Sequence, residues 1–152
     1  MSEPEAVLDA WNKATEYAAD LFSDAAGMTR GKAGNFFLDW IPPAENVAGL
    51  WVSGGQDNVP FRGDNPPTEL RMDWKTEGRF EEPEQARRYA SAIMAVLPVR
   101  AVSNIQVMRP KGNAIPTIEG KYFKMVDGRA PMLLFVVEFA GELVFNIGRA
   151  YD

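Results

Sequence analysis

Residues Glu69–Phe80 read ELRMDWKTEGRF, and this stretch decides the fold. Leu70, Met72, Trp74 and Phe80 fall on one parity, while Arg71, Asp73, Lys75, Glu77 and Arg79 fall on the other. A period of two predicts a β-strand with one side on a core and the other turned away from it. The polar side alternates in sign along all five charges. Such a row pairs with a neighbouring strand or solvates itself, and it discourages edge-to-edge aggregation.

On the C-terminal side, Glu82-Pro83-Glu84 opens a helix, with Pro83 near its first position and acids at the positive end of the dipole. Ala86, Tyr89, Ala90, Ile93, Val96 and Leu97 make its apolar stripe, and Pro98 ends it. Ser103–Arg109 reads as a short strand and Thr117–Val126 as a longer one. Asp127-Gly128-Arg129-Ala130 is a turn signal, and the chain returns from Met132 to about Ile147. That return is apolar on both parities around Met132–Val137, so both of its sides need a cover, from this chain or another. Ala140-Gly141 is read as a β-bulge or a second tight turn, with the bulge favoured because parity survives across it.

On the N-terminal side, Ser2 with Glu5 forms a capping box ahead of a helix whose apolar stripe is Val7, Leu8, Trp11, Ala14, Ala18, Leu21 and Phe22. Gly27 is its stop. A Gly-rich basic loop, Met28–Asn35, leads to a short apolar run closed by Pro42-Pro43, and Val47–Val52 is a further strand. Ser53–Pro67 (SGGQDNVPFRGDNPP) is dense in Gly, Pro, Asn and Asp and is expected to be a mobile loop. The resulting class is α+β. A mainly antiparallel sheet is flanked by two amphipathic helices in the order α-β-β-α-β-β-β, in a single domain 1–152 with a long C-terminal β-hairpin.

Composition narrows the chemistry. The 152 residues include 16 Lys+Arg and 21 Asp+Glu, a net charge of −5, and neither His nor Cys. Disulfides, thiol nucleophiles, thiolate or imidazole metal sites and Ser-His-Asp triads are therefore excluded. Neither Thr29–Gly34 (TRGKAG) nor Ser53-Gly54-Gly55 matches a phosphate loop. The acids Asp57, Asp64, Glu69 and Asp73 lack EF-hand spacing. No acid pair is singled out for glycoside hydrolysis. Lys121-Tyr122-Phe123-Lys124 interleaves bases with aromatics, but the negative charge favours core packing over nucleic-acid stacking. The expectation is no enzyme, no cofactor, no metal, no nucleic-acid partner and no membrane partner. The acidic N-terminus predicts no secretory leader, and an intracellular chain is expected.

Across most of its length the chain resembles the tail-terminator (tail-completion) proteins of long-tailed bacteriophages. The likeness is a pattern of elements: the helix Pro4–Asp24, the extended region around Leu50-Trp51-Val52, the charged strand Arg71–Arg79 running into helix Pro83–Leu97, and strands 103–109, 117–126 and 132–147. The resemblance implies a non-enzymatic protein that assembles as a ring, typically a hexamer. Such a ring stops tail-tube growth and presents a surface to head-connector proteins, with a sheet-built inner wall and helices outside. The expected location is the virion tail, or the host cytoplasm during assembly. Interface candidates are Arg71, Asp73, Lys75, Glu77 and Arg79, Leu134 and Val136 of the last hairpin, and Arg30, Lys32, Phe61 and Arg62 of the two loops. The competing readings are a small α+β binding module using the 53–67 loop and a carboxylate-dependent hydrolase.

Overall fold

The computed structural model describes residues 3–27, 36–38, 41–58 and 69–146. In chain order its elements are α1 (Glu3–Ala26), β1 (Phe36–Leu38), β2 (Gly49–Asn58), β3 (Glu69–Phe80), α2 (Pro83–Val96), β4 (Val99–Val102), β5 (Ile105–Pro110), β6 (Thr117–Phe123) and β7 (Met132–Asn146). The class is α+β. Seven strands form one sheet in the order β1-β2-β3-β7-β5-β4, with β6 also paired to β7. All of its pairings are antiparallel except β1 with β2.

β7 organises the sheet. One of its edges pairs without interruption along β3, from Glu69↔Asn146 to Phe80↔Phe135. The other edge is shared end to end: β6 takes Met132–Glu138 and β5 takes Gly141–Phe145. No bulge occurs at Ala140-Gly141, contrary to the sequence reading. Gly141 lies opposite Trp74, and a Cβ there would fall inside the indole ring. The glycine therefore makes room for an aromatic cross-strand neighbour and does not mark a break. The irregularity sits on β5 instead, between Ile105 and Val107.

Both helices cover the same face. Ala10, Ala14 and Ala18 recur every four residues on α1, and this small-residue stripe is fully buried with Phe22. Phe22 packs on Trp74 at 4.7 Å, and Trp11 meets Phe145 edge-on at 6.0 Å. From α2, Ala86, Tyr89 and Ile93 complete the core with Leu70, Met72 and Trp74 of β3 and Val137, Phe139, Leu143 and Phe145 of β7. Pro83 begins α2, and the backbone N–H of Glu82 donates to Gln85 Oε1 at 3.3 Å, closing the first turn. The capping box expected at Ser2 lies outside the described residues.

Three further expectations change. β2 continues through Asn58, so residues 53–58 of the expected loop are strand. They pair with β3 through Gly54↔Trp74 and Asp57↔Met72, with a register shift between these pairs that absorbs the poor strand formers. Residues 99–102 form β4, and Ser103-Asn104 is the turn into β5 rather than the start of a strand. Asn104 secures that turn by donating through Nδ2 to the Ala10 carbonyl of α1 at 2.8 Å. β6 ends at Phe123, short of the expected Val126. Among the described residues no helix is long and apolar enough to cross a membrane.

Candidate functional site

The face of the sheet opposite the helices, here the outer face, carries the odd-numbered side chains of β3. In the β3–β7 register Asp73 lies opposite Glu142 and Glu77 lies opposite Glu138. Two acid–acid rungs would repel, yet each acid is held by a base, that of Glu77 from its own strand and the others from elsewhere in the fold. Lys111 reaches Asp73 at 2.8 Å, and Arg109 and Arg71 reach Glu142 at 2.7 and 3.8 Å. Arg79 holds Glu77 at 2.8 Å, and Lys121 holds Glu138 at 3.1 Å. The bond to Glu138 raises the Lys121 amine above its ordinary pKa. Lys75, between the two rungs and opposite Ala140, has no ion-pair partner among the described residues.

The two ends of this face differ. At the end around Arg71 the bases Arg71, Arg109 and Lys111 are open to water above the more covered Asp73 and Glu142. At the Arg79 end the chain covers itself, because residues 41–48 cross the face on their way into β2. The Asn46 N–H donates to the Lys124 carbonyl at 2.8 Å, and its side-chain Nδ2 donates to the Met132 carbonyl at 3.1 Å. Beneath this segment the Arg79 guanidinium lies 4.9 Å from the Trp51 ring centre and 4.1 Å from that of Phe123, and donates to the Glu45 carbonyl at 3.2 Å. Two aromatic faces, a carboxylate and a carbonyl together offset the loss of water around this cation.

That cover corrects the interface expectations. Leu134 and Val136 are 1% and 2% exposed, and Arg79 is 4% exposed. All three are buried within the chain at the end that residues 41–48 cross, so of the two covers the sequence allowed, this chain or another, it is this chain that closes over them. Arg71 and Lys75 remain exposed, while Asp73 and Glu77 are half-buried in their ion pairs. Arg30, Lys32, Phe61 and Arg62 lie outside the described residues. The residues that complete this face, Glu138, Glu142, Arg109, Lys111 and Lys121, were not among the expected site residues. Glu138 and Glu142 did carry a signal, since both break an otherwise apolar parity of β7.

Between the crossing segment and the 110–116 turn lies a groove of about 490 Å3, lined by Pro42, Trp51, Lys75, Glu77, Ile115 and Glu138 among others. Its floor is charged and its walls are apolar. Compared with known proteins, the chain matches no protein-family model and no curated sequence. The reading of its role rests on its own geometry. Among the described residues no group of three or more acidic side chains is arranged to hold a metal ion.

On the helix side, Trp74 Nε1, Thr76 Oγ1 and the Tyr89 hydroxyl are buried without completed hydrogen bonds. Burial drives the Tyr89 pKa well above that of a free tyrosine, with Thr76 beside it opposing weakly. These groups are buried where α2 packs on the sheet.

Proposed function

We propose that this chain is a structural assembly protein that forms a homo-oligomeric ring, typically a hexamer, in the manner of a phage tail terminator. In this role it caps the last ring of the tail tube in the virion and offers its other side to head-connector proteins. The observation that carries the reading is the one-sided sheet. Both helices pack on one face, while the opposite face carries a set of ion pairs between residues remote in sequence. A subunit of this form suits a ring with a sheet-built inner wall and helices outside. Asp73, Glu77, Glu138 and Glu142 of this face are each engaged by Arg or Lys, which suits a surface rather than a proton-transfer site. Light scattering followed by negative-stain imaging on tail tubes tests the proposal. Discrete rings capping the tube ends are expected. A chain that stays monomeric at micromolar concentrations and leaves tube ends bare would overturn it.

The groove supports a second reading, a binding module in which Ser53, at the start of the 53–67 region, lines the cleft. It predicts a thermal shift with a small molecule, lost when 59–67 is shortened.

A further inference from the structure

Three strands end the pairing network among the described residues: β1 with three residues, β4 with four and β6 with seven. β6 therefore offers the longest edge of unpaired backbone N–H and C=O groups, the part of a sheet most prone to join another strand. Its sequence is Thr117-Ile118-Glu119-Gly120-Lys121-Tyr122-Phe123. Ile118 and Tyr122 stand on the helix side of the edge and are 43% and 73% exposed, with partly exposed Leu133 directly opposite Tyr122. Glu119 and Lys121 stand on the outer side. About Gly120 the order is apolar, acid, glycine, base, aromatic. The strand is complementary to itself when read backwards.

We propose that β6 pairs antiparallel with β6 of a second copy of this chain, across a two-fold axis at Gly120, and so joins two seven-stranded sheets into one. In that register Glu119 of each copy faces Lys121 of the other on the outer side, and Ile118 faces Tyr122 on the helix side. Opposite charges and apolar pairs directly across an antiparallel rung both stabilise it. The charges also reject the alternatives. Centring the pair on Glu119 or on Lys121 sets like charges together, and a parallel in-register pair does so twice. A one-residue slip turns one sheet over and sets Ile118 against Lys121. At the axis Gly120 has no side chain to obstruct the approach. The contact is isologous, with the same patch used on both copies. It needs no tail tube and does not rest on the ring reading.

Charge reversal tests the seam by sedimentation or light scattering of the purified chain. Wild-type protein is expected at an even multiple of 16.9 kDa. E119K presents two bases and K121E presents two acids, so each alone is expected at half the wild-type mass or less. An equimolar mixture of the two restores complementarity on both rungs and is expected to return to the wild-type mass as a mixed pair. Circular dichroism confirms that each variant is folded. Should K121E lose its fold along with the Glu138 pair, Ile118→Asp with E119K reads the same seam, each again at half mass. A monomeric wild type, single variants that keep the wild-type mass, or a mixture of folded variants that stays dissociated would each overturn the proposal.

Discussion

Arg71 and Arg79 stand eight residues apart on the same side of the same strand, and their surroundings share almost nothing. The Arg71 side chain is 52% exposed and reaches Glu142 at 3.8 Å. Arg79 is closed between Trp51 and Phe123, bonded to Glu77 and to the Glu45 carbonyl. The difference comes from a segment remote in sequence, residues 41–48, which covers one end of the outer face and leaves the other to water. Strand parity fixes the side on which a residue stands. What lies over that side decides whether its charge is a solvated ornament or part of a core.

Substitutions along the sheet separate these cases. The scale is set on the helix side. Gly141→Val forces a branched side chain into the Trp74 indole at the centre of the β3–β7 ladder. It is expected to cost about 4 kcal/mol or more in urea unfolding, in the range of severe overpacking. Arg79→Ala is expected to cost about 3 kcal/mol, since it empties the aromatic cage and strands Glu77. Arg79→Lys should recover less than half of that, because an ammonium cannot stack flat between two rings. A loss below about 1 kcal/mol for Arg79→Ala would erase the contrast between the two ends.

Tyr89→Phe removes a buried hydroxyl whose hydrogen bonding is incomplete and is expected to be neutral or stabilising by about 1 kcal/mol at pH 7. Its effect on pH dependence has a definite sign. Burial raises the folded-state pKa of Tyr89, so its contribution is complete below the unfolded value near 10 and declines as pH rises beyond it. Alkaline titration of stability should fall more steeply in wild type than in Tyr89→Phe above about pH 10. Parallel curves would remove the buried phenol as the cause. The smallest effect is expected for Arg71→Ala, within about 0.5 kcal/mol and abolished by 1 M salt, whereas the Arg79→Ala deficit persists at that salt.

The sequence showed a good deal of this and missed a definite part. The parity of Leu70, Met72 and Trp74 against Arg71, Asp73 and Lys75 was legible because a strand with one dry side writes its burial into every second residue. The apolar stripe of α2, with Pro83 at its start and Pro98 beyond its end, was legible for the same reason at helical spacing, save that its last turn opens and leaves Val96 exposed. The extension of β2 through Ser53–Asn58 was not. Those residues are poor strand formers held by the ladder to β3, a tertiary cause without a local trace. Likewise the two apolar parities near Leu134 and Val136 announced a cover but not its source. The covering segment, Ile41–Ala48, has no periodicity, since it binds through single hydrogen bonds and backbone carbonyls. The charges were half legible: the row on β3 stood out, while Lys111, which meets Asp73, and Arg109 and Lys121, which meet Glu142 and Glu138 of β7, lie elsewhere in the chain, and only the fold brings them together.

The β3–β7 ladder has a kinetic consequence as well. Glu69 pairs with Asn146 and Phe80 with Phe135, so every rung of the longest ladder joins residues more than fifty positions apart. The β6–β7 hairpin closes across a short connection and can form early, whereas β3 must be brought in through a large loop with its entropy cost. Until β3 arrives, a 15-residue strand rich in Leu, Val and Phe waits with one edge bare. The interval before docking is when this chain is most exposed to aggregation, and slow or crowded synthesis lengthens that interval.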